Sequence, residues 1–230
     1  MRVAVLTGAG ISAESGLRTF RASDGLWEDH RIEEVATPEG FARDPDLVHR
    51  FYNQRRKDAA AALPNDAHRA LAELARHVDL TLITQNVDDL HERGGSDRLI
   101  HMHGALTGAL CAACGHRWPA PMVMTTGDPC PACTKQATRP DIVWFNEMPY
   151  RMEEIWEAVA KADVFAAIGT SGQVYPAAGL AQHAGRCGAR TIELNLATSA
   201  VSRDFDERHE GPASRIVPDW VGSLIAAQQR

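Results

Sequence analysis

The chain has 230 residues, 44% of them hydrophobic and 23% charged, with a formal net charge of −6 and a pI near 5.9. That is enough apolar material for one buried core with an elaboration, while the acidic balance argues against binding to phosphate backbones. The apolar run at the N-terminus is too short for a signal peptide and no stretch reaches bilayer-spanning length. A soluble, cytoplasmic protein is therefore expected, with neither membrane nor nucleic acid as partner; the oligomeric state stays open, and a monomer is compatible.

Residues 3–6 read as a short strand that breaks into Thr7-Gly8-Ala9-Gly10-Ile11-Ser12-Ala13 and then a helix-like stretch. Gly8-x-Gly10-x-x-Ala13 fits the fingerprint in which glycines let the backbone approach a pyrophosphate at a helix N-terminus. The hydride-transfer version of that fingerprint expects an acidic residue about twenty positions on, at the end of a second strand. Residues 19–27 read Thr-Phe-Arg-Ala-Ser-Asp-Gly-Leu-Trp, which is no strand. Either a nucleotide is held differently here, or the turn is a plain strand-to-helix connection.

Further strands are expected at 78–84, 98–101, 164–169 and 191–194, separated by helical patterns at 45–63, 67–77, 152–162 and 177–186 and closed by a helix at 219–229. Asp44 before Pro45 makes a good helix start, with Asp as N-cap and Pro in the first turn. This alternation predicts an α/β fold built on a Rossmann-like, doubly wound parallel sheet. Segments 18–63 and 104–139 interrupt it. They are assigned to a smaller domain, a helical module and a cysteine module, beside a discontinuous large domain formed by 1–17, 64–103 and 140–230.

The cysteine module holds Cys111-Ala-Ala-Cys114 and Cys130-Pro-Ala-Cys133, two CxxC knuckles fifteen residues apart. Four thiolates in a tetrahedron fill the coordination shell of a zinc ion, so such a metal is structural. Disulfides or four buried thiols are the competing reading, and paired CxxC without a secretion signal disfavours it. The fifth cysteine, Cys187, near the end of the helix at 177–186, reads as a buried, inert thiol. Three polar clusters fall where expected strands end: Thr84-Gln85-Asn86-Val87-Asp88, His101-Met102-His103-Gly104 and Gly169-Thr170-Ser171. With the glycine turn they make four at the sheet edge where open α/β folds bind ligands.

Taken together, Gly8-Ala9-Gly10-Ile11-Ser12-Ala13-Glu14-Ser15-Gly16, Thr19-Phe20-Arg21, Gln85-Asn86-Val87-Asp88, His103-Gly104, the four cysteines, Val143-Trp144-Phe145 and Gly169-Thr170-Ser171 resemble, in order and over essentially the whole chain, the sirtuins, NAD-dependent protein lysine deacylases. The resemblance implies a Rossmann-like domain plus a small domain of zinc and helical modules, with NAD consumed and one structural Zn2+. In the implied reaction the acyl-lysine carbonyl oxygen attacks the nicotinamide ribose as nicotinamide leaves, and the acyl group ends on the 2′-oxygen of ADP-ribose. It places Gly8, Ala9, Gly10, Ser12, Glu14, Thr19, Phe20, Arg21, Trp27, Gly169, Thr170, Ser171, Asn195 and Ala213 on the cofactor. Asp88 would hold the carboxamide, Gln85 and Asn86 would surround the nicotinamide ribose, and His103 would be the general base, a task suited to histidine's near-neutral pKa. His101 competes with His103 and reads as a core or supporting residue; His91 reads as a helix-surface residue.

Tyr52 and Arg55 lie three apart and so share a helix face. In the sirtuin subclass that removes succinyl and malonyl groups, such a pair binds the free carboxylate of the acyl chain, and a small residue, here Ala36, leaves room for it. A guanidinium can grip a carboxylate bidentately while a phenol donates a third bond; packing of Tyr52 in the core with Arg55 in solvent is the competing reading. Val143, Phe145 and Asn146 fall in the segment that pairs with the substrate backbone. Two positions depart from the family pattern: Asn146 where glycine is usual, tolerable because asparagine accepts positive φ, and Ala197 where glutamate is frequent. Predominant deacetylation, or mono-ADP-ribosyl transfer from the same site, are alternatives. A zinc-ribbon nucleic-acid binder lacks a basic face, and an idle acyl-lysine reader would lack Asn86, Asp88 or His103.

Overall fold

The computed structural model describes residues 1–18, 26–27 and 30–228. In chain order the elements are β1 (Arg2–Thr7), α1 (Gly10–Ala13), β2 (Leu26–Trp27), β3 (His30–Arg31), α2 (Ile32–Val35), α3 (Pro38–Arg43), α4 (Pro45–Ala61) and α5 (Asp66–Leu74). There follow β4 (Asp79–Thr84), α6 (Leu90–Arg93), β5 (Leu99–His101), β6 (Gly104–Cys111), β7 (Arg117–Pro119) and β8 (Thr138–Ile142). The chain closes with α7 (Met152–Ala160), β9 (Val164–Ile168), α8 (Leu180–Arg186), β10 (Arg190–Asn195), β11 (Glu207–Glu210) and α9 (Ala213–Gln228).

Six strands form one sheet in the order β11-β10-β9-β1-β4-β5, every pair parallel. The two-residue period of a strand divides its side chains between two cores. Val3 and Val5 of β1, with Val164, Ala166 and Ile168 of β9, face α5 and α9, whereas Ala4, Leu6, Phe165 and Ala167 face α7 and α8. Burial on both faces is why these strands read as continuous apolar runs. From β1 the chain proceeds outward through β4 and β5 on one side and later returns through β9, β10 and β11 on the other, which puts the topological switch point between β1 and β9.

The expected strands and most helices are present within a few residues, and Asp44 caps α4 by accepting the Leu47 N–H at 2.9 Å. Three differences stand out. The closing helix begins at Ala213 rather than 219 and runs through Pro218; Val217, Trp220, Val221 and Leu224 bury one stripe against Ala67, Leu71 and Leu74 of α5, and that packing outweighs the lost backbone bond. The cysteine segment, which has no clear periodicity, forms an antiparallel sheet β7-β6-β8. Finally, Cys187 is exposed rather than buried, because it sits at the C-terminal cap of α8 and not on that helix's core face.

Helices α2 to α4 and this second sheet share a third core of Val35, Val48, Phe51, Tyr52, Leu106, Ile142 and Trp144. Buried Arg56 of α4 ties them together, donating to the Leu106 carbonyl at 2.8 Å, while Asn53 exchanges two hydrogen bonds with the backbone of Met124. Among the described residues no helix is long and apolar enough to cross a membrane.

Candidate active site

A cleft of about 540 Å³ opens at the C-terminal ends of β1, β4, β9 and β10. The sheet side contributes Gly8, Ala9, Gly10, Ser12, Gln85, Asn86, Asp88, His103, Gly169, Thr170, Ser171 and Asn195; the opposite wall contributes Trp27, Ala36, Tyr52, Arg55, Val143, Phe145 and Asn146. The floor is set by close packing of two turns. A Cβ on Gly10 would lie 2.7 Å from the Gly169 Cα, and Gly169 itself has φ +63°, so neither position accommodates another residue without displacing backbone. Backbone passes this close to the cleft only because both side chains are absent.

Behind that floor lies a buried polar network. Asn86 donates its side-chain amide to Ser12 Oγ at 3.1 Å, and Ser12 Oγ donates to Asp88 Oδ2 at 3.2 Å. Burial pushes the Asp88 carboxyl up, against the hydrogen bonds of Leu90 N–H and Ser12 that pull it down. Thr7 donates to Thr84 at 2.8 Å, and Thr84 Oγ1 accepts the Asn86 N–H at 3.0 Å. Thr7 Oγ1 also lies 2.9 Å from His91 Nε2; since the threonine proton is committed to Thr84, His91 is the donor. His91 is thus 1% exposed rather than on a helix surface, because α6 turns that face toward β1. Burial holds it well below its ordinary 6.5, and takes His68, whose ring centroid is 5.0 Å away, down to about 4.

The two histidines near β5 have pKa values shifted in opposite directions. His101 faces the Asn86 carbonyl through Nδ1 at 3.0 Å and the Glu92 carboxylate through Nε2 at 2.8 Å. Both partners only accept, which favours a proton on each ring nitrogen; burial opposes that charge, but Glu92, the Asn86 carbonyl and Asp88 together outweigh it and the pKa rises. His103 has one such partner, the Gln85 carbonyl at 3.2 Å from Nδ1, and burial lowers its pKa. Its Nδ1–H is fixed and Nε2 keeps a lone pair.

The cysteine cluster has the geometry of a tetrahedral site. All four Sγ atoms lie within 4.8 Å of one another, with Cys111 Sγ 3.7 Å from Cys133 Sγ and Cys114 Sγ 3.8 Å from Cys130 Sγ. A Zn–S bond of about 2.3 Å gives a tetrahedron edge of about 3.8 Å, whereas a disulfide needs about 2.05 Å. Both knuckles close the same way: Cys111 N–H donates to the His116 carbonyl and Cys130 N–H to the Lys135 carbonyl, each at 2.9 Å. The cluster fits a structural zinc ion.

A sequence profile of the Sir2 family matches residues 8–176. This chain belongs to that family. Among its relatives is the NAD-dependent protein deacylase of Vibrio cholerae, 54% identical over 99% of this chain and 95% of that protein. Among solved structures, a Sir2 homologue–NAD complex superposes with a TM-score of 0.90 at 39% identity, over 99% of this chain and 90% of that one. A Sir2–p53 peptide–NAD+ complex superposes with a TM-score of 0.80 at 26% identity, over 99% and 93%.

In this sirtuin two expected cofactor residues, Glu14 and Ala213, are not among the residues that line the cleft. The Glu14 carboxylate instead accepts the backbone and hydroxyl hydrogens of Ser214, each at 2.8 Å, and Ala213 is buried in the core at the start of α9. Thr19, Phe20 and Arg21 lie outside the described residues. Asn146 adopts φ +72°, the conformation for which asparagine is the best substitute for glycine. The buried partners Thr7, His68 and His91 are what sequence reasoning missed; Thr84 and His101 stood in the polar clusters at the strand ends, with His101 read as a supporting residue, but their partners did not show there.

Two outcomes follow. The purified, reduced protein should carry one zinc per chain, and stripping it with a chelator should lower the unfolding temperature; substoichiometric metal in fresh protein would overturn the assignment. His68 and His91 are neutral when folded but take up protons near 6.5 when unfolded, so the unfolded state binds more protons as pH falls. Stability should therefore drop from pH 7 toward pH 4.5, each group contributing up to about 1.4 kcal/mol per pH unit. Denaturant melts at several pH values should show that slope flattened in His68→Gln.

Proposed function

We propose that this protein is an NAD-dependent protein lysine deacylase that favours succinyl- and malonyl-lysine over acetyl-lysine and releases nicotinamide and 2′-O-acyl-ADP-ribose. The observation that carries this reading is the placement of Tyr52 and Arg55, both buried, beside Ala36 in the wall of the cleft that also holds His103 and Asn86. The Arg55 guanidinium lies 4.8 Å from the centroid of the Trp27 ring, which supports a cation in a partly desolvated wall. Tyr52 is held by burial above its ordinary pKa, so its phenol stays a neutral donor. A carboxylate entering between them would gain charge-assisted hydrogen bonds, and a neutral acetyl group would not.

Bound NAD would supply an electrophilic ribose carbon with nicotinamide as leaving group. The chain's residues would do the rest: Asp88, Ser12 and Asn86 would orient the carboxamide and ribose from the buried network, and His103 Nε2 would take a ribose hydroxyl proton. The N–H groups of Val143 and Phe145 are already bonded to His103 and Ala36 carbonyls, each at 2.9 Å, so a substrate strand would pair with other backbone groups of the 143–146 segment. We also take 1–17, 64–103 and 140–230 as the NAD-binding domain, with 18–63 and 104–139 as the small domain, and place the protein in the cytoplasm acting on other proteins.

The test is nicotinamide release with NAD and one peptide in succinyl, malonyl and acetyl forms. The wild type should have the higher kcat/KM on the charged acyls, by about 10- to 100-fold if the pair is desolvated, and Arg55→Met should collapse that advantage; equal or better acetyl turnover in the wild type would overturn the preference. Because His103 must be neutral to act and burial lowers its pKa, the acid limb of kcat/KM should have its midpoint below 6.5. His103→Asn should abolish turnover, and retained activity would mean that the base lies elsewhere.

A further inference from the structure

Tyr52 sends its hydroxyl to the indole of Trp144, whose Nε1–H donates to Tyr52 Oη at 3.0 Å across 92 residues of sequence. Both side chains are almost wholly buried, at 0% and 2% exposure. An indole N–H can only donate, so in this contact the phenol oxygen can only accept. The phenol's own proton has no acceptor among the described residues. Tyr52 stands in the wall of the cleft, just beneath its surface, so a group bound against that wall is the acceptor left for the proton.

Trp144 is held in turn by an ion pair. Arg139 stacks on it, with the guanidinium carbon 3.5 Å from the ring centroid, and makes a two-pronged bridge to Glu147 at 2.7 and 2.8 Å. Glu147 also accepts the Trp144 backbone N–H at 2.9 Å, and the Glu147 N–H returns to the Trp144 carbonyl at 3.0 Å. Phe41 covers the indole with ring centroids 5.1 Å apart. A bidentate guanidinium–carboxylate pair that also stacks on a ring fixes both the plane of that ring and the turn it stands on.

We propose that Trp144, clamped by Arg139 and Glu147, is a positioning residue for recognition of charged acyl groups. By filling the acceptor site of the Tyr52 oxygen, it turns that phenol into a dedicated donor aimed at the acyl carboxylate. This rests on the reading of Tyr52 and Arg55 as the acyl selector. The same clamp holds the turn carrying Phe145 and Asn146, so the acyl end and the peptide-facing segment are set by one rigid unit.

The experiment compares kcat and KM on succinyl and acetyl forms of one peptide for the full chain, Trp144→Phe, Tyr52→Phe and the double variant. Phenylalanine keeps a ring over Arg139 but removes the N–H. The succinyl-to-acetyl ratio of kcat/KM should fall about 5- to 10-fold in Trp144→Phe, with the loss in the succinyl KM rather than kcat. Tyr52→Phe should lower the ratio at least as much, and the double variant should equal Tyr52→Phe, since the indole acts only through the phenol. A ratio within twofold of wild type in Trp144→Phe, or losses that multiply in the double variant, would overturn the positioning role while leaving the selector intact. A ratio unmoved by Tyr52→Phe and Arg55→Met would instead overturn the selector, and the positioning role with it. Should Trp144→Phe fail to fold, Arg139→Lys, which weakens the clamp and leaves the N–H in place, decides: the ratio should fall about 2- to 3-fold, and an unchanged ratio overturns the proposal.

Discussion

The cleft exists because β1 and β9 are hydrogen-bonded neighbours whose following chain segments leave the sheet in opposite senses. At such a switch point the turns above the strands part and open a crevice. Here the parting is controlled by contact rather than distance: the turn after β1 lies on the turn after β9, Gly10 N–H donating to the Gly169 carbonyl at 2.9 Å. Polar residues at the ends of β4 and β10 then line a wall already in place. Asn195 joins them by donating its side-chain amide to the Thr170 carbonyl at 2.7 Å.

The sheet provides only half of the cleft. The other half comes from α4 and the segment after β8, which belong to a separate core tied to the cysteine module through Arg56 and Asn53. A metal filled by four thiolates has no open position for chemistry. Bound among the four cysteines, it would tie the two knuckles together beside the short antiparallel sheet β7-β6-β8. That sheet ends at Ile142, next to the residues that face the cleft opposite the glycine turns.

Charge within the site is sorted by burial and by the number of carbonyl or carboxylate acceptors each histidine meets. His68 and His91 are buried with hydroxyl or amide partners and stay neutral. His101, between a carbonyl and a carboxylate, holds a second proton more tightly than a free imidazole. His103, with one carbonyl partner, keeps a lone pair. Four imidazoles in one region thus differ in how firmly they hold a proton without differing in chemistry, because burial and acceptors differ from one to the next.

Much of this was legible in the residues themselves. The strands β1 and β9, buried on both faces, announce themselves as apolar runs, and the two CxxC knuckles carry their spacing in plain view, because backbone geometry and a ligand set are local properties. The glycine turn, Gln85 to Asp88, His103 and Tyr52 with Arg55 were likewise recoverable as motifs and do share one cleft. What only the tertiary structure decided were the partners: that His91 meets Thr7 across 84 residues, that Glu14 holds Ser214, that α9 continues through Pro218, and that the Tyr52 hydroxyl accepts from Trp144. Hydrogen-bond partners and burial depend on how distant segments pack, and no local pattern encodes which of several polar groups will be enclosed together. Sequence alone therefore determined which chemistry the chain carries, and packing determined the protonation and orientation in which it is held.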